Sequence, residues 1–234
     1  MAEIERKNIL FTDYDMIRND FRSVLSACIG GALVIKRAAS KVIYADWEID
    51  FSQASVYFSS KRYPIQFIGS VAKSDNSWNW GWNNINEFRE DILDLARKTF
   101  NVAKLWGLQE LSSPVIRCDE LCTPANLSIV AIALSQRNYT YLAAEHGNGA
   151  AFIAVANLPD EVFDPVDAQD FARIIKIAID GANLNHKLLL DGFAAWNGSA
   201  IEWVEPHVAV VHADRDIRFE LDERMQIANI EVQS

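Results

Sequence analysis

Between Trp47 and Asn83 lie four stretches in which apolar and polar residues alternate, separated by gaps of only a few residues. Trp47, Ile49 and Phe51 alternate with Glu48 and Asp50, and Val56 and Phe58 follow. Tyr63 to Ala72 sets Ile65 and Phe67 on one face and Gln66 and Ile68 on the other, and Ser77 to Asn83 closes the group. Alternation of period two marks strands with one covered face. Parallel neighbours need a crossover of about a dozen residues or more, so gaps this short admit only an antiparallel meander.

Helical spacing surrounds that meander, which makes the chain α+β, with antiparallel meanders packed by helices. Thr12 stands three residues before Asp15, a capping-box spacing, and Tyr14, Ile17, Phe21, Val24, Cys28, Ala32 and Ile35 continue on one face. Gly30-Gly31 interrupts this helix, and two interior glycines imply a kink, an early end or close packing. Ile85, Phe88, Ile92, Leu95, Thr99, Val102 and Trp106 form a second stripe, with Asn84 as cap, Glu87 at the third helical position and Gly107 as the stop. That stripe is expected to lie on the meander, with Arg89, Glu90, Asp94, Arg97, Lys98 and Lys104 in water. Residues 108–122 read as an irregular connection. Thr123-Pro124 then opens a helix to about Gln136 with little polar face. Tyr139–Glu145 and Ala150–Ala156 flank His146-Gly147-Asn148-Gly149, a hairpin signal. Asp164-Pro165 opens a helix to Gly181, another follows from Asn185 to Trp196, and residues 200–232 return to strands with a turn at Asp222-Glu223-Arg224. Helix followed by meander thus occurs over 12–82 and again over 165–232. Trp47 and Trp203 are the residues that would fit a duplication, and it stays open. The expectation is a single compact domain over 1–234, with subdomains 1–107 and 108–234 and a hinge at about 107–122.

The charge is uneven. Residues 1–107 carry 14 Lys+Arg and 13 Asp+Glu, a net of +1, whereas 108–234 carry 8 and 19, a net of −11. Nucleic-acid binders gain affinity by neutralising phosphates with Lys and Arg, so no nucleic-acid partner is expected. A basic protein partner fits, as does solubility alone. The longest nearly apolar run, Ala27–Ile35, is far short of the roughly 20 residues that cross a bilayer, so no membrane association is expected. The N-terminus lacks an apolar export segment, and the three cysteines, Cys28, Cys118 and Cys122, form no disulfide framework; both suit a reducing cytoplasm.

Ser77-Trp78-Asn79-Trp80-Gly81-Trp82-Asn83 is the unusual segment. Strand alternation would place its three indoles on one face about 7 Å apart, either as a platform for sugars, bases or cations, or as the apolar floor beneath the second helix. Trp80 reads as structural, and Trp82, where the strand turns into a helix, is the indole expected to reach a ligand. Trp82, Asn83, Tyr139, Tyr141 and His146 are therefore the candidate ligand-binding residues, and Gln66, Gly69, Trp78, Trp80 and Gly81 a structural motif. No catalytic residue, cofactor or metal is expected. Cys118-x-x-x-Cys122 lacks the second pair of a zinc site, His186, His207 and His212 are isolated, and Asp164, Asp167 and Asp170 suit a helix first turn. G-x-S-x-G, H-E-x-x-H, P-loop and dinucleotide fingerprints are missing.

Pro64-Ile65-Gln66-Phe67-Ile68-Gly69-Ser70 followed by the tryptophan segment resembles the signature of an uncharacterised bacterial family, in which a glutamine–glycine strand leads to T-W-x-W-x-W-A-N and a long helix. Gly107-Leu108-Gln109-Glu110-Leu111 is similar to its G-I-P-E-L run except at the proline. Tyr139-Thr140-Tyr141 and Gly147–Phe152 are similar to its tyrosine-rich hairpin. Asn185-His186-Lys187 resembles an Asp-His-Arg helix start, with Asn in place of Asp. The likeness runs over about 44–232 and implies a unified chain without an assigned activity. Two functions then stand: a non-enzymatic interaction protein, such as an acidic inhibitor or immunity-type partner of a basic protein, or a homodimer; alternatively, a small-ligand hydrolase with an aromatic-lined cleft.

Overall fold

The computed structural model describes residues 20–43 and 46–233; the expected cap at Thr12 and Asp15, with Tyr14 and Ile17, lies outside them. The described residues divide into two units, one drawn from 20–21 and 35–163, the other from 22–34 and 164–233. Helix α1 (Phe21–Ala39) gives residues to both. The fold is α+β, and every strand pairing is antiparallel.

The unit of residues 35–163 is built on a seven-stranded sheet. Strands β1 (Trp47–Asp50), β2 (Ser55–Phe58), β3 (Lys61–Ala72), β4 (Ser77–Trp80) and β5 (Val115–Arg117) lie in that order. The hairpin of β6 (Thr140–His146) and β7 (Gly149–Val155) joins through β7 to β3. A bulge between Phe67 and Gly69 makes Ile68 the extra residue, so Gly69 falls on the face of Gln66 rather than that of Phe67. The opposite face carries Ile65, Phe67, Ile153 and Val155, buried with Val56, Ile92, Leu93 and Phe163.

Helix α2 (Asp94–Trp106) starts nine residues later than the stripe predicts. Asn84 adopts φ 46° and Glu87 φ 53°, left-handed positions that no helix tolerates. The Asn84 amide also closes this turn, accepting from the Phe88 N–H at 2.8 Å and donating to its carbonyl at 3.0 Å. Ile85 is consequently 60% exposed, while Ile92, Leu95, Thr99 and Trp106 are buried as the stripe requires. No local side chain caps α2. Gln66 on β3 does so instead: its Oε1 accepts from the Leu95 N–H at 3.1 Å and its Nε2 donates to the Asp91 carbonyl at 2.9 Å. Gly107, at φ 70°, ends the helix as expected. Residues 108–122 are more ordered than an irregular connection, holding the short helix α3 (Gln109–Ser112) and β5. Helix α4 (Pro124–Ser135) starts on the Thr123 cap and is buried on most sides, as its composition predicts.

The unit of residues 22–34 and 164–233 packs α5 (Ala168–Gly181) and α6 (His186–Asn197) with a four-stranded meander, β8 (Ala200–Glu205), β9 (Val208–His212), β10 (Asp216–Leu221) and β11 (Ile227–Val232). Helix α5 starts on Asp167, whose carboxylate accepts from the Asp170 N–H, rather than at Asp164-Pro165. Helix α1 continues unbroken through Gly30-Gly31, and the reason is close packing. A Cβ on Gly30 would come within 2.5 Å of the Phe193 ring, and one on Gly31 within 2.6 Å of the Trp196 ring. From α6, a Cβ on Gly192 would meet the Ala27 carbonyl at 2.1 Å. An indole can rotate away, but backbone cannot. Gly192→Ala is therefore expected to destabilise by about 1–3 kcal/mol despite its higher helix propensity; urea unfolding measures this, and an unchanged midpoint would show that the helices separate freely.

Candidate functional site

The tryptophan segment is divided between two local structures. Strand β4 ends at Trp80, and Gly81–Asn83 form a 3-10 turn, so Trp82 does not share a strand face with Trp78 and Trp80. Gly81 makes that turn by approaching the Phe67 and Ile68 carbonyls, where a Cβ would sit 2.8 and 2.9 Å away. Trp78 and Trp80 are buried and meet edge to face, with centroids 5.3 Å apart. Trp78 also lies against Phe152 at 5.2 Å, and its indole covers Gly69, where a Cβ would be 2.5 Å from the ring.

The indole N–H groups have different fates. Trp80 donates to the Glu110 carbonyl at 2.9 Å and Trp82 to the Leu111 carbonyl at 3.2 Å. Both acceptors belong to α3, a single turn in which the Ser113 N–H takes the Gln109 carbonyl, and the two indoles supply donors to the next two carbonyls. The two tryptophans thus hold α3 against β4. The buried Trp78 N–H has no acceptor among the described residues, and its ring packs against those of Trp80 and Phe152. Trp82 is half-buried, its ring 4.3 Å from that of Phe100 on α2, and Asn83 beside it is exposed.

Tyr139 and Tyr141 are buried. The Tyr141 hydroxyl accepts from Lys36 Nζ at 2.6 Å, and that ammonium lies 3.8 Å from the ring centre. His146 is exposed at the hairpin tip, next to the Lys73–Glu145 ion pair at 2.6 Å. Tyr141 and His146 are five positions apart along a regular strand, which sets them on opposite faces about 17 Å apart. The structure therefore does not bring His146 and Tyr141 to one small-molecule cleft, whereas it does connect Tyr141, Phe152, Trp78 and Trp80 ring to ring.

A different constellation lies on the meander β8–β11. Its registers put Ile201, Trp203, Val211, Ile217 and Phe219 on one face, and Glu202, Glu205, Val210, His212, Asp216, Arg218, Glu220, Asn229 and Glu231 on the other. The second face sets five carboxylates against one guanidinium. Arg218 donates to Glu220 at 3.1 Å, and Asn229 adds a second bond; these hold the Glu220 carboxyl below its usual range. His212 Nδ1 lies 2.8 Å from Asp216, and its Nε2 4.0 Å from Glu202. The local excess of acid in the second half of the sequence pointed toward this surface, but only the register shows which carboxylates share a face.

Among the described residues no three His, Cys, Asp or Glu side chains gather as metal ligands, and no helix is long and apolar enough to cross a membrane. Burial pushes the Cys28 thiol up to about 12, and burial with the nearby Asp119 and Glu110 carboxylates does the same for Cys122. Burial also raises Cys118.

A family model described as a family of unknown function, DUF6882, matches residues 23–158. No curated protein and no solved structure matches the chain. The match spans 136 of 234 residues and ends before the acidic meander, whereas the resemblance read from the sequence reached about 232.

Two outcomes follow from this chemistry. Trp80→Phe leaves the Glu110 carbonyl without its donor and is expected to cost about 1–3 kcal/mol more than Trp78→Phe, which breaks no such bond; equal shifts in thermal unfolding would contradict the roles given to the two indoles. Cys28 and Cys122 should react with a thiol reagent at neutral pH more than about a thousandfold slower in the folded protein than in denaturant, because the thiolate is the nucleophile. Stopped-flow labelling reads this directly.

Proposed function

The chain belongs to DUF6882, a family of unknown function, and we propose that it is a non-enzymatic interaction protein whose acidic sheet face receives a basic protein partner. The observation that carries the reading is the outer face of β8–β11, where Glu202, Glu205, Asp216, Glu220 and Glu231 face one cation, Arg218, across adjacent strands. Neighbouring strands are about 4.8 Å apart, so the carboxylates project from a rigid lattice and keep their spacing when a partner arrives. Such a field speeds encounter with a positively charged surface and repels a negative one. It disfavours nucleic acid, and it disfavours a homodimer formed through this face, since two copies would oppose like charges. An inhibitor or immunity-type role is one use of such a surface.

The test is a cross-linking capture from source cells, comparing the natural protein with the triple variant Glu202→Gln, Glu220→Gln, Glu231→Gln. A basic protein should be captured by the natural chain and bind the variant about tenfold or more weakly, mainly through slower association, with the difference shrinking as salt is raised. A partner bound equally by both, or one without a basic surface, would overturn the reading.

A further inference from the structure

Ile227 opens β11, which among the described residues is an edge strand with β10 as its neighbour. Its backbone N–H is directed out of the sheet and donates to Nδ1 of His186 at 2.8 Å. His186 is the first residue of α6 and is only 7% exposed. A ring nitrogen that accepts carries no proton, so this contact requires neutral imidazole with its proton on Nε2. We propose that His186 is an acid-sensitive latch: the neutral ring holds the tip of the β10–β11 hairpin on α6, and protonation releases it.

Protonation converts Nδ1 from acceptor to donor, so two N–H groups then face each other where one bond had been. The added charge would also stand in the first turn of α6, at the positive end of the helix dipole. Two influences on the ring oppose each other. Burial is the larger and holds His186 below its ordinary pKa, while the Asp222 carboxylate on the hairpin pulls the other way. Asp222 is committed to the turn itself, accepting from the Arg224 and Gln226 N–H groups at 2.8 and 2.9 Å. On α6 the nearest charges are Lys187 and Asp191, which pair with each other at 3.3 Å. With the folded-state pKa depressed, the unfolded or released form binds the proton more readily. The latch is therefore fully engaged above the ordinary histidine pKa and weakens as pH falls through and below it.

Amide exchange of Ile227, corrected for intrinsic rates and referenced to Phe219 in the middle of β10, reads the latch. Protection at Ile227 should fall by about threefold or more between about pH 7.5 and about pH 5 while Phe219 stays protected. His186→Asn retains an acceptor oxygen near the Nδ1 position but cannot titrate, and should abolish the pH dependence. A flat profile in the natural protein, or the same fall in the variant, would overturn the latch. The natural chain gives an independent reading by NMR: the His186 ring nitrogens and the Ile227 amide should titrate with one midpoint, and two different midpoints would refute it.

Discussion

A strand of twelve residues has hydrogen-bonding groups along both edges, and the unit of residues 35–163 is organised by meeting that demand on β3. Its first residues pair with β2 and its last with β4, both supplied locally by short turns. The other edge from Ile65 to Ala72 takes β7, whose partners lie 77 to 90 positions further along the chain. Without that distant hairpin a long row of backbone groups on this edge would lack its partners. The bulge at Ile68 belongs to the same economy, because it turns Gly69 toward Gln66 and opens the space that the Trp78 indole fills. Gln66 then extends the influence of β3 beyond the sheet by capping α2, a helix with no local side-chain cap.

In the other unit the limiting quantity is distance rather than hydrogen bonding. Gly30, Gly31 and Gly192 let α1 and α6 approach until the Phe193 and Trp196 rings and the Ala27 backbone fill the places that methyl groups would take. This close contact is made from both helices, which is why a glycine pair that costs helix propensity is retained without a kink. Polar side chains secure the helix starts: Asn185 caps α6, Ser26 accepts the Asn185 N–H, and Asn197 closes both ways on Val166.

The tryptophan segment and the acidic meander serve different ends. Two of the three indoles supply donors to a one-turn helix, and Trp78 closes a ring-to-ring row that reaches Tyr141. The residues that carry the proposed partner surface lie outside the interval matched by the family, so the shared part of DUF6882 and the acidic face are separate stretches of this chain. His186, which the sequence offered only as an isolated histidine, acquires its meaning from an Ile227 amide 41 positions away.

What the residues alone determined was strand direction and several element ends, which short-range stereochemistry carries. Short gaps between alternating segments dictated antiparallel strands, Thr123-Pro124 and Gly107 marked helix ends, and the His146–Gly149 hairpin followed from its turn residues. The start of α2 was misjudged because apolar periodicity continues back to Ile85, while the left-handed Asn84 and Glu87 that break the helix depend on a side-chain turn that periodicity does not register. The register of the meander, the bulge at Ile68, the parting of Trp82 from Trp80 and the grouping of five carboxylates on one face were decided only in three dimensions. Each of these depends on which backbone group or ring a distant segment brings within a few ångströms, and local propensity holds no information about such a partner.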